Sequence, residues 1–246
     1  MRKFLIFVII FSLAKTSFAE TKAIQKYLVS KDYPAVISLA EKYLSKGGEA
    51  KDEVLFLLAE AYIGTSNLAK ARETLRSLYK DFPGSPYAKK SVLRIADSYY
   101  LESNYQQARN IYNYFIEKYN DPVFLSSVYL KLAYCEEKLG NWELKKSYMK
   151  AIEEKFSASV EASKLEELNK RGFHFVVQVG AFIDKDNAGD LIKNLKKDGF
   201  SSYLVGEKED GKLFYKVRIG KFIKRKEAEA ELESLIAKGY PARIFP

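Results

Sequence analysis

Val176-Val-Gln-Val-Gly-Ala-Phe182 returns 40 residues later inside Tyr215-Lys-Val-Arg-Ile-Gly-Lys-Phe222, and this echo decides the fold of the C-terminal third. At that offset Val177 meets Val217, Val179 meets Ile219, Gly180 meets Gly220 and Phe182 meets Phe222. The match continues through Ala188/Ala228, Leu195/Leu235, Gly199/Gly239 and Phe200/Tyr240. Each copy reads as strand, glycine-containing corner, helix closed by glycine, and second strand. Two copies make β-α-β-β-α-β, a ferredoxin-like α+β domain whose four-stranded antiparallel sheet carries two helices on one face. The other face is left open to a ligand.

Alternation along the strands sorts the side chains. Val177, Val179 and Ala181 of the first strand, with Tyr215, Val217 and Ile219 of the third, form the set expected to meet the helices. The inward helix residues are expected at Ala188, Leu191, Ile192 and Leu195, then Ala228, Leu232, Leu235 and Ile236. Val176, Gln178 and Gly180, with Phe214, Lys216 and Arg218, fall on the open face. The first and third strands are central in this topology, so Gln178, Phe214, Lys216 and Arg218 are expected mid-sheet. Tyr203 and Val205 of the second strand, and Arg243 and Phe245 of the fourth, flank them. An aromatic ring beside an amide and two cations suits a polymer: the ring stacks on a sugar or base, and the polar groups bond hydroxyls or carboxylates.

Before this domain, residues 20–170 have a helical pattern, with leucines and aromatics at spacings of three and four. Ala59, Ala96 and Ala133 lie 37 apart, as do Asn67, Asn104 and Asn141, and Leu75, Tyr112 and Met149. An earlier, looser copy around Asp32 to Ile37 aligns at 36. A fixed period of this size means stacked helical hairpins, which bury their apolar faces only against one another. Cys135 falls in register with Ala61 and Ser98, a small-residue position where helices approach closely. Past Phe156 the pattern turns polar, with Glu166, Glu167 and Lys170 at formerly apolar positions, as a capping helix requires. The boundary is expected at Arg171-Gly172, with no flexible linker.

At the start of the chain, Arg2 and Lys3 precede an apolar run from Phe4 to Leu13, and Ser17-Phe18-Ala19 follows. This pattern predicts a secretory signal over residues 1–19, cleaved after Ala19. The run is half the ~20 residues of a spanning helix, which disfavours the alternative of an uncleaved anchor. The expected location is therefore outside the cytoplasm, and the family resemblances given below imply the periplasm. The whole sequence has 41 Lys+Arg against 32 Asp+Glu, and loss of three cations with the signal lowers its formal charge from +9 to +6. That excess is too diffuse to indicate nucleic acid. With one cysteine, no intrachain disulfide forms. The lone His174 and Cys135 lie in different modules, and no phosphate loop or nucleophile elbow occurs, so neither enzyme activity, metal nor cofactor is expected.

The helical segment resembles tetratricopeptide repeats through Ala59/Tyr62 and Ala96/Tyr99, Asn67/Ala71 and Asn104/Ala108, and the break Phe82-Pro-Gly-Ser-Pro-Tyr-Ala88. The resemblance is to the variety in bacterial envelope proteins, such as the Tol-Pal coordinator and outer-membrane assembly lipoproteins, and implies a protein-binding surface. Residues 173–246 resemble the SPOR (sporulation-related repeat) domain. The matching residues are Phe175 to Phe182, Asn187-Ala188, Leu191, Leu195, Gly199-Phe200, Tyr215 to Phe222, Glu227-Ala228 and Gly239 to Ala242. That resemblance implies binding of peptidoglycan glycan strands stripped of stem peptides, which are enriched at the division septum. It implies contacts at Gln178, Ala181, Phe214 and Lys216, with Ala181 and Phe214 standing where some members have Ser and Trp. Tyr203 and Arg218 join them from the sorting of the open face. The expected protein is a non-enzymatic wall binder acting in cell division or wall remodelling, whose repeats engage another protein. Two alternatives stand beside it: an envelope assembly or transport scaffold anchored by the sheet domain, and an RNA binder of the same topology. The basic-Gly-aromatic-Gly motif that RNA binding would call for is absent from the third strand.

Overall fold

The computed structural model describes residues 18–246 except Asp210. The basic and apolar parts of the expected signal, residues 1–17, lie outside the described residues. No helix among the described residues is long and apolar enough to cross a membrane. The chain divides into two compact units at Leu125/Ser126.

The first unit is helical. It contains α1 (helical to residue 29), α2 (Tyr33–Ser45), α3 (Lys51–Gly64), α4 (Leu68–Asp81), α5 (Pro86–Leu101) and α6 (Tyr105–Tyr119), and α7 (Pro122–Leu139) begins in it. Its hairpin turns share one construction. Ser66 takes a left-handed φ of 59° and Ser103 one of 63°. Ser66 N–H donates to Ile63 O at 2.9 Å, and the following Asn67 N–H donates back to Tyr62 O at 2.8 Å. This pair of bonds closes the end of α3 as a Schellman motif. The same Asn67 then caps α4, its side chain accepting from Lys70 N–H at 3.4 Å, and Asn104 does so from Gln107 N–H at 3.2 Å. One Asn thus ends one helix and starts the next, which is why it recurs with the period. The small-residue positions Ala59, Ala61, Ala96 and Ser98 are fully buried, as are Leu75 and Tyr112.

In the second unit, the rest of α7 packs with α8 (Trp142–Lys155) and α9 (Leu165–Lys170) around Leu130, Ala133, Met149, Ile152, Leu165 and Leu168. Cys135 is fully buried, as its small-residue register implied. This last hairpin repeats the turn, with Gly140 at φ 77° in the position of Ser66 and Ser103. Serine tolerates that conformation in the earlier repeats, so backbone freedom alone does not require glycine here. A Cβ on Gly140 would stand 2.8 Å from the ring of Phe175, the first residue of the sheet's first strand. Trp142 packs on the same ring at a centroid distance of 5.0 Å, and its indole N–H donates to Ile223 O at 2.9 Å. Beside it, fully buried Lys145 pairs with Glu137 at 3.0 Å and donates to Leu168 O and Gly172 O at 3.2 and 2.9 Å. Burial lowers the Lys145 pKa, against the pull of Glu137. The compact unit therefore spans the 171–172 boundary read from the sequence, because the final hairpin shares a core with the sheet.

The sheet contains β1 (Phe175–Phe182), β2 (Ser202–Glu209), β3 (Lys212–Phe222) and β4 (Arg243–Phe245), in the order β2-β3-β1-β4 and antiparallel throughout. The helices α10 (Lys185–Lys197) and α11 (Arg225–Ala237) bury Ala188, Leu195, Ala228 and Leu235 against Val177, Val179, Val217 and Ile219. Two inward assignments change. Ile236 is 57% exposed, because it lies in the last turn of α11 beside the short strand β4. Gly180 and Ala181 exchange faces through a bulge. Gln178 pairs with Arg218, but Gly180 pairs with Val217 and Ala181 with Lys216, so one extra β1 residue is accommodated between them. A Cβ on Gly180 would lie 2.9 Å from Leu191 of α10, whereas Ala181 is exposed. Val176, sorted to the open side, is buried.

The junction predicts an asymmetry between equivalent turns. Gly140→Ser, which installs the residue of the earlier repeats, destabilises the second unit by about 1–3 kcal/mol through overpacking on Phe175. Ser103→Gly stays within about 1 kcal/mol of wild type. Denaturant unfolding followed by Trp142 fluorescence for the first and far-ultraviolet circular dichroism for the second measures both. Equal, small effects would refute the close-approach explanation.

Candidate functional site

The open face is assembled by strand register. Tyr203 of β2, Arg218 of β3, Gln178 of β1 and Arg243 of β4 form one row across all four strands. Val205, Lys216 and Ala181 form the next row, Ala181 entering it only because of the bulge. Glu207 and Phe214 form the third. All six residues expected at the site, Gln178, Ala181, Tyr203, Phe214, Lys216 and Arg218, therefore occupy this face.

Their availability differs. Ala181 is exposed, and Gln178, Tyr203, Phe214 and Arg218 are half-buried. The Arg218 Nε–H donates to Gln178 Oε1 at 3.4 Å, joining the central strands through their side chains. The Tyr203 hydroxyl donates to Gly220 O at 3.1 Å, and burial raises its pKa. Lys216 is only 8% exposed and is not a free cation. Its ammonium contacts Glu207 Oε2 at 2.5 Å and Glu209 Oε1 at 2.6 Å. Glu207 also holds Arg218, its Oε1 lying 2.8 Å from Nη1. Burial opposes the charge on Glu207, but the Lys216 hydrogen bond and the Arg218 charge outweigh it and lower its pKa. Burial likewise opposes the charge of Lys216, and the bonds to both glutamates raise its pKa nonetheless.

Glu207 and Glu209 were absent from the residues singled out in the sequence. A signal for them exists: Asp-Gly at 210–211 reads in the sequence as a hairpin-turn dipeptide, and the strand register sets Glu209 opposite Lys212 and Glu207 opposite Phe214. Alternation then places both carboxylates on the face that carries Lys216.

Next to this face lies a groove of about 630 Å³ lined by Gln178, Ala181, Ile236, Tyr240, Arg243 and Phe245. It opens because β4 pairs only with Val176 to Gln178, leaving the outer edge of β1 uncovered beyond Gln178.

These features define a helical-repeat protein ending in a ferredoxin-like sheet domain with an open polar-aromatic face. Residues 172–244 match the SPOR domain, residues 127–159 the tetratricopeptide repeat, and residues 48–131 an outer membrane lipoprotein family. The architecture is thus tetratricopeptide-type repeats followed by a C-terminal SPOR domain. No curated protein matches the chain. Among solved structures, the nearly identical TPR-like repeats of a putative kinesin light chain from Podosopora anserina share 14% identity at a TM-score of 0.45. That match covers 89% of this chain and 92% of the other. Bacillus thuringiensis PlcR, in complex with the peptide PapR7 and DNA, shares 17% identity at a TM-score of 0.46, covering 68% of this chain and 73% of its own.

The ion pairs give a pH prediction with a definite sign. A lowered Glu207 pKa means that its contribution to stability is complete above the unfolded value of 4.5 and is lost as pH falls through the lower folded value. The Glu207 carboxyl resonance in the full chain should titrate below 4.5 and move back up in Lys216→Met. A wild-type midpoint at or above 4.5 would refute the pairing.

Proposed function

We propose that this protein is a non-enzymatic peptidoglycan-binding protein of the cell envelope. Its sheet face holds glycan strands lacking stem peptides, and its repeats engage a protein partner. The observation that carries the reading is the row Tyr203–Arg218–Gln178–Arg243 on the open face of a domain that matches SPOR. A ring, an amide and guanidinium groups at strand spacing suit a sugar polymer, whose hydroxyls need donors and acceptors and whose apolar ring faces need aromatic contact. Ala181 and Phe214 complete the face, with Ala181 leaving room next to Gln178. Lys216 enters the site as a paired charge. The families matched are of binding and scaffold types, which favours a non-catalytic role. Periplasmic location, enrichment at the septum and a role in division or wall remodelling belong to the same proposal.

A second reading is favoured by the outer membrane lipoprotein match over 48–131. In it the repeats are a scaffold for envelope assembly or transport, and the SPOR domain anchors that scaffold to the wall.

The test is co-sedimentation of the full chain with purified sacculi, with and without prior amidase treatment. Retention should rise with amidase treatment. Gln178→Ala combined with Phe214→Ala should weaken it roughly tenfold or more, the loss expected for two central contacts. Equal retention on both kinds of sacculi would remove the denuded-glycan part, and wild-type retention by the double variant would remove this face. The scaffold reading is tested by partner capture: a complex that forms only when the wall is bound would refute it.

A further inference from the structure

Two cations of the open face, Lys216 and Arg218, sit on the central strand β3 and are largely covered, with side-chain exposures of 10% and 18%. The carboxylates that cover them stand on the edge strand β2 and are more exposed, 37% for Glu207 and 53% for Glu209. The fixed partners are therefore the cations, largely covered on a central strand, and the removable partners are the carboxylates on the edge strand. Glu207 is the shared one, since its two oxygens reach Lys216 and Arg218 separately. If it swings away, Lys216 keeps Glu209 and Arg218 keeps the Gln178 amide, so neither cation is stranded. The result is a carboxylate-sized position bounded by an ammonium, a guanidinium and an amide, filled by the protein's own side chain.

We propose that Glu207 sets the specificity of this face by occupying the position that an incoming carboxylate of the wall polymer takes over. This rests on the glycan-binding reading and deepens it. A neutral sugar gains little at the covered cations, because displacing Glu207 would leave Arg218 with a neutral amide in place of its carboxylate and Lys216 with one carboxylate instead of two. A sugar carrying a carboxylate restores both ion pairs as it enters. Hydrolysis of the amide that joins a stem peptide to the lactyl group of the glycan leaves such a carboxylate on the sugar. The exchange therefore supplies a physical reason for the face to prefer stripped strands. Gln178 lies in the same row as Arg218 and is placed to bond the adjacent hydroxyls of the same strand.

The test compares Glu207→Gln with wild type in the full chain, on amidase-treated sacculi, untreated sacculi and a neutral chitin oligosaccharide. Removing the internal competitor should strengthen binding to treated sacculi by roughly three- to tenfold and make it more salt-sensitive. Binding to the chitin oligosaccharide should not gain. If wild type binds treated sacculi and Glu207→Gln binds equally or more weakly, the exchange is overturned while the glycan reading stands. If neither protein binds any sacculi, the glycan reading itself fails. An equal gain on the neutral oligosaccharide would overturn the carboxylate as the exchanging group. An equal gain on untreated sacculi would move the carboxylate to the stem peptides and overturn the lactyl assignment. Glu207→Ala repeats the comparison, and loss of folding in both variants would also overturn the proposal, by making Glu207 a structural residue.

Discussion

The pairing of β1 with β3 is the constraint on which the C-terminal domain rests. These are the central strands, and they supply Val177, Val179, Val217 and Ile219 to the helix side and Gln178, Lys216 and Arg218 to the other. A one-residue slip in such a pair would send every side chain to the wrong face, so the core enforces the register. The bulge after Gln178 admits that slip locally, as one of two irregularities in the pairing, the other lying between Phe175 and Val177. It costs one ladder position and gains two things: Gly180 lets Leu191 of α10 approach, and Ala181 is turned outward beside Lys216. The shape of the open face is thus a consequence of how α10 packs on the opposite face.

The same economy shows at the other end of β1. Phe175 begins the strand, belongs to the sheet core, and also meets Trp142 and the Cβ-free side of Gly140. The final helical hairpin is consequently part of the sheet domain's core and not merely its neighbour in sequence. The buried Lys145–Glu137 pair lies beside this contact and reaches the Leu168 and Gly172 carbonyls. A buried ammonium needs several partners to offset its lost hydration, and those partners come from α7 and from the chain leading into β1. That requirement ties down the connection between α9 and β1.

Electrostatically, the face differs from the cation-rich surface that Lys216 and Arg218 suggest when read alone. Two glutamates on β2 neutralise them within the domain. A surface built this way discriminates by exchange, because a ligand has to supply what it displaces. The uncovered edge of β1 beyond Gln178, where β4 ends, extends the same face into a groove that holds Arg243 and Phe245.

Much of this was legible in the residues themselves. The 37-residue repeat located the hairpins, since Asn67 and Asn104 each close one helix and cap the next, and Asn141 stands at the same turn. The 40-residue echo located the sheet domain, and strict alternation placed Gln178, Phe214, Lys216 and Arg218 together, because a strand's side-chain period is a local property of its backbone. Tertiary structure alone decided the rest. The bulge depends on how closely α10 approaches, Ile236 became exposed because β4 is short, and Gly140 is explained only by a ring 35 residues further on. The state of Lys216 depends on carboxylates of another strand. Local pattern determines which way a side chain points, whereas its exposure and its charge partner are set by neighbours that only the folded chain brings within a few ångströms.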